Sequence, residues 1–141
     1  MQSWLYQMRN TKDWRPEDYR LKVWEENRIS WPAGGTARRG LSDPAPGDTV
    51  VLFFAKSHNP SPGLYGWGTI GSYDQGRDRL EFQLLPPSDD LKYDPLWDDD
   101  IHRLLDRVRE NGGQNTVWGL SADEFALFRH KIRERAGDNS L

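Results

Sequence analysis

The stretch "TVVLFFAKSHNPSPGLYGWGTI", residues 49–70, decides the fold of this chain. Its first seven residues, 49–55, are an apolar run that predicts a buried β-strand. A polar loop rich in proline follows, and a second strand is predicted over 63–73, where Tyr65 and Trp67 stand among glycines. Because glycine weakens the interior of a strand, these glycines indicate either a crowded, tightly curled sheet or the close approach of a ligand.

The flanking segments extend this pair of strands into a mixed fold. The patterns predict strands at 3–8, 49–55, 63–73 and 79–85, and helices at 11–28, 96–113 and 121–137. Residues 29–48 are rich in glycine and proline and predict a long loop, in which only "ISW" at 29–31 is extended. Short turns between strands and the lack of β-α-β alternation predict an α+β fold, a small curled mixed sheet or open barrel flanked by helices.

Length and composition place the chain in a broad class. Its 141 residues predict a single domain over 1–137, with a frayed tail at 138–141. The absence of cysteine excludes disulfides and thiolate metal sites and is typical of the cytoplasm. We expect neither a signal peptide nor a membrane span, because no apolar run approaches about 20 residues. The net charge of −3 does not by itself indicate nucleic-acid binding.

Motifs for catalysis or metal binding do not occur in the sequence. The histidines form no H-E-x-x-H motif, and His102 and His130 are predicted to lie on the surface of helices. Three aspartates at 98–100 are explained by the N-terminus of a predicted helix, which stabilises negative charge. Ser57 lacks the G-x-S-x-G turn of a hydrolase. We therefore expect no enzyme activity, no cofactor and no metal.

Five segments of the chain, taken together and in this order, resemble a known family. They are "WLYQMRN" (4–10), "ISWPAGG" (29–35), "PGDTVVLFFAKSHNPSPGLYGWGTI" (46–70), "FQLLPP" (82–87) and "GLSADEFALF" (119–128). Together they resemble an EVE domain of the PUA-like superfamily, a relative of the YTH domains, over nearly the whole chain. The most specific segment combines Pro-Gly-Asp, an apolar strand, a polar loop with serine, and a strand of glycines and aromatics.

The resemblance implies a reader of modified bases. Such domains take an extruded base into a pocket with aromatic walls, modified cytosine in DNA for EVE domains and methylated adenine in RNA for YTH domains. The implied partner is therefore DNA or RNA that carries a modified base. Bacterial relatives resemble the specificity modules of modification-dependent restriction, which implies a nuclease or an ATPase as a partner in trans.

The resemblance also implies site residues. Trp31 matches a stacking wall, Asn10 matches a polar position whose amide reads a base edge, and Ser57 matches the polar residue after the central strand. The implied base pocket consists of Met8, Arg9, Asn10, Trp31, Pro32, Ser57 and Trp118, and the implied contacts to the nucleic-acid backbone are Arg38, Arg39 and Lys56. The turn "QMRN" at 7–10 departs from the family's Lys-Ser-Glu-Pro-like run, which leaves the identity of the base open.

Two other hypotheses remain open at the level of sequence. In the first, the seven tryptophans contribute to a surface that binds a partner protein. In the second, the chain is a small enzyme that acts on a nucleotide or tRNA, with His58 and Asp48 as candidate residues.

Overall fold

The computed structural model of the chain describes residues 1–8, 28–54, 63–84, 96–110 and 115–136. These residues form seven strands and two helices. In chain order they are β1 (Ser3–Met8), β2 (Arg28–Pro32), β3 (Thr36–Ala37), β4 (Thr49–Phe54), β5 (Gly63–Asp74), β6 (Arg79–Leu84), α1 (Asp99–Arg109), β7 (Val117–Leu120) and α2 (Ala122–Ala136).

The strands form one sheet in the order β2-β6-β5-β4-β1-β7-β3. Two neighbouring pairs, β1 with β4 and β3 with β7, are parallel, and the other pairs are antiparallel. The two edge strands are consecutive in the chain and are joined only by residues 33–35. A flat sheet would hold its edges about 29 Å apart, whereas the link from Pro32 to Thr36 reaches at most about 14 Å. The sheet must therefore curl until its edges meet.

A side-chain hydrogen bond confirms this closure. The Tyr6 hydroxyl on β1 donates to the carbonyl oxygen of Pro32 on β2 at 2.7 Å, although three strands lie between β1 and β2 in the sheet. The link itself is fixed at both ends, because Ala33 N donates to Asp78 O at 3.0 Å and Thr116 N donates to Gly35 O at 2.8 Å. The sheet is thus an open barrel closed by a short stretch of backbone.

Most sequence-predicted elements are confirmed, with two corrections. The predicted strands and the last two predicted helices occur, and β4, β5 and β6 form the expected antiparallel series. The extended "ISW" within the predicted loop at 29–48 is part of β2, whereas β3 in the same loop and β7 were not predicted. Both β3 and β7 are very short and are strands only because each finds a partner in the sheet. The predicted helix at 11–28 falls outside the described residues except for its last residue, which lies in β2, and the predicted tail also falls outside them.

Both faces of the curled sheet are buried, which explains the uninterrupted apolar run in β4. Alternate residues of each strand point to opposite faces. The inner core contains Trp4, Tyr6, Ala33, Val50, Leu52, Ile70, Leu80, Phe82 and Val117. The outer core, against the helices, contains Leu5, Val51, Phe53, Leu64, Trp67, Ile101, Leu104, Leu105, Val108, Trp118, Leu120, Phe128 and Ile132.

The strand register explains the glycines of β5. Gly68 pairs with Val50, which pairs with Trp4, and Gly66 lies in the corresponding row beside Leu52 and Tyr6. Each row across the inner face therefore combines one large ring, one aliphatic side chain and one glycine. A narrow barrel fills its interior by placing small residues beside large ones. The register thus places Gly66 and Gly68 on the inner face beside large side chains, where small residues are favoured.

The buried carboxylate of Asp48 fixes the start of β4. It accepts hydrogen bonds at 3.0 Å from the backbone N–H groups of Gln2 and Ala45 and from the indole Nε1 of Trp4. These donors come from the start of the chain, the preceding turn and the inner core. The aspartate of the "PGD" segment therefore has a structural role.

The helices begin as their sequences predict. Asp98 caps α1, since its carboxylate accepts from Ile101 N at 2.8 Å. Ser121 and Glu124 form a reciprocal capping box at α2, with hydrogen bonds of 2.9 and 3.1 Å. None of the described helices is long and apolar enough to cross a membrane.

We predict that Gly119→Ala destabilises the fold by about 2 kcal/mol or more, because a new methyl group overfills a packed site. A Cβ at this position of β7 would lie 2.3 Å from the backbone oxygen of Arg38. Gly71→Ala on β5 is the matched control, since its Cβ would make only ordinary contacts of 3.6 Å or more. Urea unfolding of both variants measures the difference, and equal stabilities would contradict the close approach of residues 38 and 119.

Candidate functional site

The predicted site is organised by the parallel pairing of β1 and β4. The register runs from Ser3 opposite Thr49 to Met8 opposite Phe54, so both strands end side by side at one edge of the sheet. Gly63, the first residue of β5, also pairs with Phe54. Met8 and Phe54 therefore lie side by side, and they are the last described residues before segments 9–10 and 55–57, which include four predicted site residues. Arg9, Asn10, Lys56 and Ser57 themselves lie outside the described residues.

The other predicted pocket residues of this group lie on β2. Trp31 pairs with Leu80 and Pro32 pairs with Arg79. The backbone of β2 is held against β1 by the Tyr6 hydrogen bond to the Pro32 carbonyl. The side chains of Met8 and Trp31 are outside the described part of the structure, so the meeting of Asn10, Trp31 and Ser57 in one pocket stays a prediction.

The structure corrects the assignment of Trp118 to the pocket. Trp118 pairs with Leu5 and is 1% exposed, within the core between the sheet and the helices. A base would reach its ring only if a helix moved away. Its residue type suggested a stacking wall, but only the register shows which face of the sheet it occupies.

Arg39, a predicted phosphate contact, is bound within the protein. Its guanidinium forms a two-pronged ion pair with the 1% exposed side chain of Glu124, with Nη2 2.9 Å from Oε2, and also donates to Gly119 O at 2.8 Å. Arg107 lies 3.4 Å from the same carboxylate. Burial raises the pKa of Glu124, but hydrogen bonds from Arg39 and Ser121 and the charge of Arg39 outweigh it and hold the pKa below its usual range.

Arg38 has internal partners as well. It pairs with Asp43 and donates to the hydroxyl of Tyr73 at 3.3 Å and to the Thr36 carbonyl at 3.4 Å. Phosphate binding by Arg38 and Arg39 stays a prediction, and it would require both guanidinium groups to exchange these contacts for a ligand.

The residues proposed for the enzyme hypothesis receive no support as a catalytic group. The Asp48 carboxylate is already occupied by three N–H donors, and His58 lies outside the described residues. His102 and His130 are exposed, as predicted, beside Asp106 and Glu134 respectively. Within the described ranges, no group of three histidine or acidic side chains is placed to hold a metal ion.

A groove of about 500 Å³ lies on the helical side, between α1 and α2. Its apolar surface comes from Ile101, Leu104 and Leu127. Its charged rim is paired internally by Arg103 with Asp100, Lys131 with Asp98 and Asp100, and His130 with Glu134. The groove therefore has little unpaired charge with which to select a ligand.

Comparison with known proteins shows the fold through solved structures. No family model and no curated protein matches the chain. A hypothetical protein from Leishmania major is similar, with a TM-score of 0.57, 15% identity and coverage of 95% of this chain and 96% of that one. A protein from Pseudomonas putida gives 0.52 and 14% over 92% and 98%. The DUF55 domain of human thymocyte nuclear protein 1 gives 0.52 and 15% over 89% and 95%.

These similarities confirm the predicted fold class. The seven-stranded mixed open sheet with its helices is the PUA-like α+β fold of the DUF55 domain. Human THYN1 in complex with DNA containing 5-methylcytosine gives a lower TM-score of 0.47 at 12% identity, with coverage of 91% of this chain and 95% of that one. Membership of the EVE family in particular stays a prediction.

We predict that Glu124→Gln lowers stability at pH 7 by about 2 kcal/mol, because it leaves Arg39 without its carboxylate. The depressed pKa of Glu124 gives the sign of the pH dependence. Its contribution is present above the unfolded-state pKa of about 4.3 and is lost as the pH falls through the lower folded-state pKa.

The difference in unfolding free energy between wild type and Glu124→Gln should therefore shrink when urea titrations are repeated at progressively lower pH. Glu134→Gln is the matched control, since Glu134 is exposed and its ion pair within the described ranges is with His130, and its effect should stay below about 0.5 kcal/mol. A difference that does not change with pH would contradict a role for the ionised carboxylate.

Proposed function

We propose that this chain is a non-catalytic reader of a modified nucleobase in DNA or RNA. The observation that carries the proposal is the parallel register of β1 and β4. It places Met8 and Phe54 side by side at one edge of the sheet, and Asn10 and Ser57 follow these two residues in the sequence by two and three positions. A base-binding site needs polar groups from distant parts of the chain at such a point.

The fold gives independent support at a coarser level. The DUF55 domain of human thymocyte nuclear protein 1 shares this fold, and human THYN1 has been seen in complex with DNA containing 5-methylcytosine. Modified cytosine in DNA is therefore the first ligand to test, with methylated adenine as the second.

The proposed mechanism is recognition of a flipped base. Extruding a base from a duplex costs a few kcal/mol, and stacking on an aromatic ring returns about 1–3 kcal/mol. Trp31 supplies the ring, and the Asn10 amide donates to and accepts from the base edge. A methyl group on the base adds apolar contact, which favours the modified form.

The position of Asp48 weakens the enzyme hypothesis relative to the reader. A carboxylate held by three N–H donors is not available to exchange a proton with a substrate. In a reader without its own chemistry, cleavage would fall to a separate nuclease or ATPase that acts in trans, as in modification-dependent restriction.

The test is fluorescence polarisation with paired oligonucleotides that differ only in one base modification. The panel contains methylated and hydroxymethylated cytosine and methylated adenine, each in DNA and in RNA. We predict that wild type prefers one modified oligonucleotide over its unmodified twin, and that Trp31→Ala removes about 1–3 kcal/mol of that binding free energy.

Trp97→Ala is the matched control, because Trp97 is an exposed tryptophan at the start of α1 that packs on His102. It should leave the preference unchanged. If no modified oligonucleotide binds better than its unmodified twin, the proposed function as a base reader is wrong. The hypothesis that the chain binds a partner protein is then tested. If Trp97→Ala and Trp31→Ala act alike, Trp31 is not the stacking wall.

A further inference from the structure

The basic residue Arg129 on α2 has an unusual environment. Arg129 is half-buried, and its Nε is inaccessible to water and has no acceptor among the described residues. The described residues also give its guanidinium no ion pair. A guanidinium group that is partly removed from water is normally paired with an anion, since desolvating an unpaired charge is unfavourable.

The helix around Arg129 offers no compensating charge. The positions three and four residues away are Phe125, Ala126, Ile132 and Arg133, none of which is acidic. Phe125, Arg129 and Arg133 instead form a stripe along one side of α2, at a spacing of four residues. Phe125 packs against the outer core, so the basic part of this stripe is Arg129 and Arg133.

The opposite side of α2 is different. There Lys131 binds Asp98 and Asp100, and His130 lies beside Glu134. Lys131, on the groove side of the helix, is thus neutralised within the protein. The contrast indicates that the anion for Arg129 comes from outside the described structure.

The position of α2 relates this stripe to the candidate site. Lys131 binds Asp98 at 2.8 Å, and Leu96, two residues earlier, exchanges backbone hydrogen bonds of 2.8 and 3.0 Å with Leu64. Leu64 pairs with Phe53, the residue before the end of β4. The second half of α2 is therefore anchored near the edge of the sheet where β1 and β4 end.

We propose that Arg129 binds a phosphate of the nucleic-acid backbone when the base occupies the site. An external phosphate would meet the terminal Nη groups of Arg129, because its Nε is inaccessible to water, and two parallel N–H donors match two phosphate oxygens. Arg38 and Arg39 are already paired with Asp43 and Glu124, so Arg129 would add a phosphate contact on α2 to the predicted contacts in the loop after β3. This inference rests on the proposed function and adds the backbone contact to it.

The experiment measures the salt dependence of binding for wild type and Arg129→Gln, with a modified oligonucleotide and its unmodified twin. Losing one phosphate contact should reduce the slope of log affinity against log salt by about 0.7 to 0.9. It should weaken both oligonucleotides by about tenfold, the effect of one charge-assisted hydrogen bond. The ratio between modified and unmodified binding should not change, because the phosphate carries no sequence information. DNA and RNA versions of the pair show which backbone is bound.

Arg103→Gln is the matched control, since Arg103 is exposed, carries the same charge and already pairs with Asp100. It should leave the slope unchanged, whereas Arg129→Lys should keep most of the slope. An unchanged salt slope in Arg129→Gln, or an equal loss of slope in Arg103→Gln, overturns the inference about Arg129. The proposed function as a base reader is not affected by that outcome. If wild type binds no oligonucleotide, the proposed function fails and the inference fails with it. A clear loss of melting temperature in Arg129→Gln also overturns it, because Arg129 would then be a structural residue.

Discussion

The link of three residues between β2 and β3 constrains the whole structure. These strands are the two edges of the sheet, so the chain joins opposite edges through residues 33–35. The link packs backbone directly against the start of β7: a Cβ on Gly34 would lie 2.2 Å from Thr116, and one on Gly35 would lie 2.4 Å from Asn115. Gly34 also has a φ of +58°, which glycine adopts without strain. Once the sheet is curled, its inner face becomes a core, and both of its faces must be apolar.

Two buried carboxylates then hold the irregular segment between β3 and β4. Glu124 binds Arg39 near the start of the segment, and Asp48 binds Ala45 N near its end. Arg39 and Asp48, which the sequence assigned to a phosphate contact and to a candidate catalytic group, are thus part of the tertiary structure. Arg129 on α2, whose Nε has no acceptor among the described residues, offers a further positive group for nucleic acid.

The parallel pair β1 and β4 relates the fold to the proposed function. Parallel neighbours need a long crossover, and here the crossover includes β2, β3 and the segment fixed by the carboxylates. The same crossover leaves two strand ends side by side at one edge. The site therefore depends on the closure of the sheet, because closure sets where β2 and its Trp31 lie relative to β1.

The sequence by itself determined the elements whose signal is local. An apolar run identified β4, the strands after it were identified as β5 and β6, and the capping residues Asp98 and Ser121 located both described helices. The ordered motifs also indicated the PUA-like fold. What the sequence could not determine were facts about pairing: short strands such as β3 and β7 have no periodicity of their own. The burial of Trp118 and the ion pair of Arg39 likewise depended on tertiary contacts. Residue type does not show which face of the sheet a ring occupies or whether a charged side chain has a buried partner.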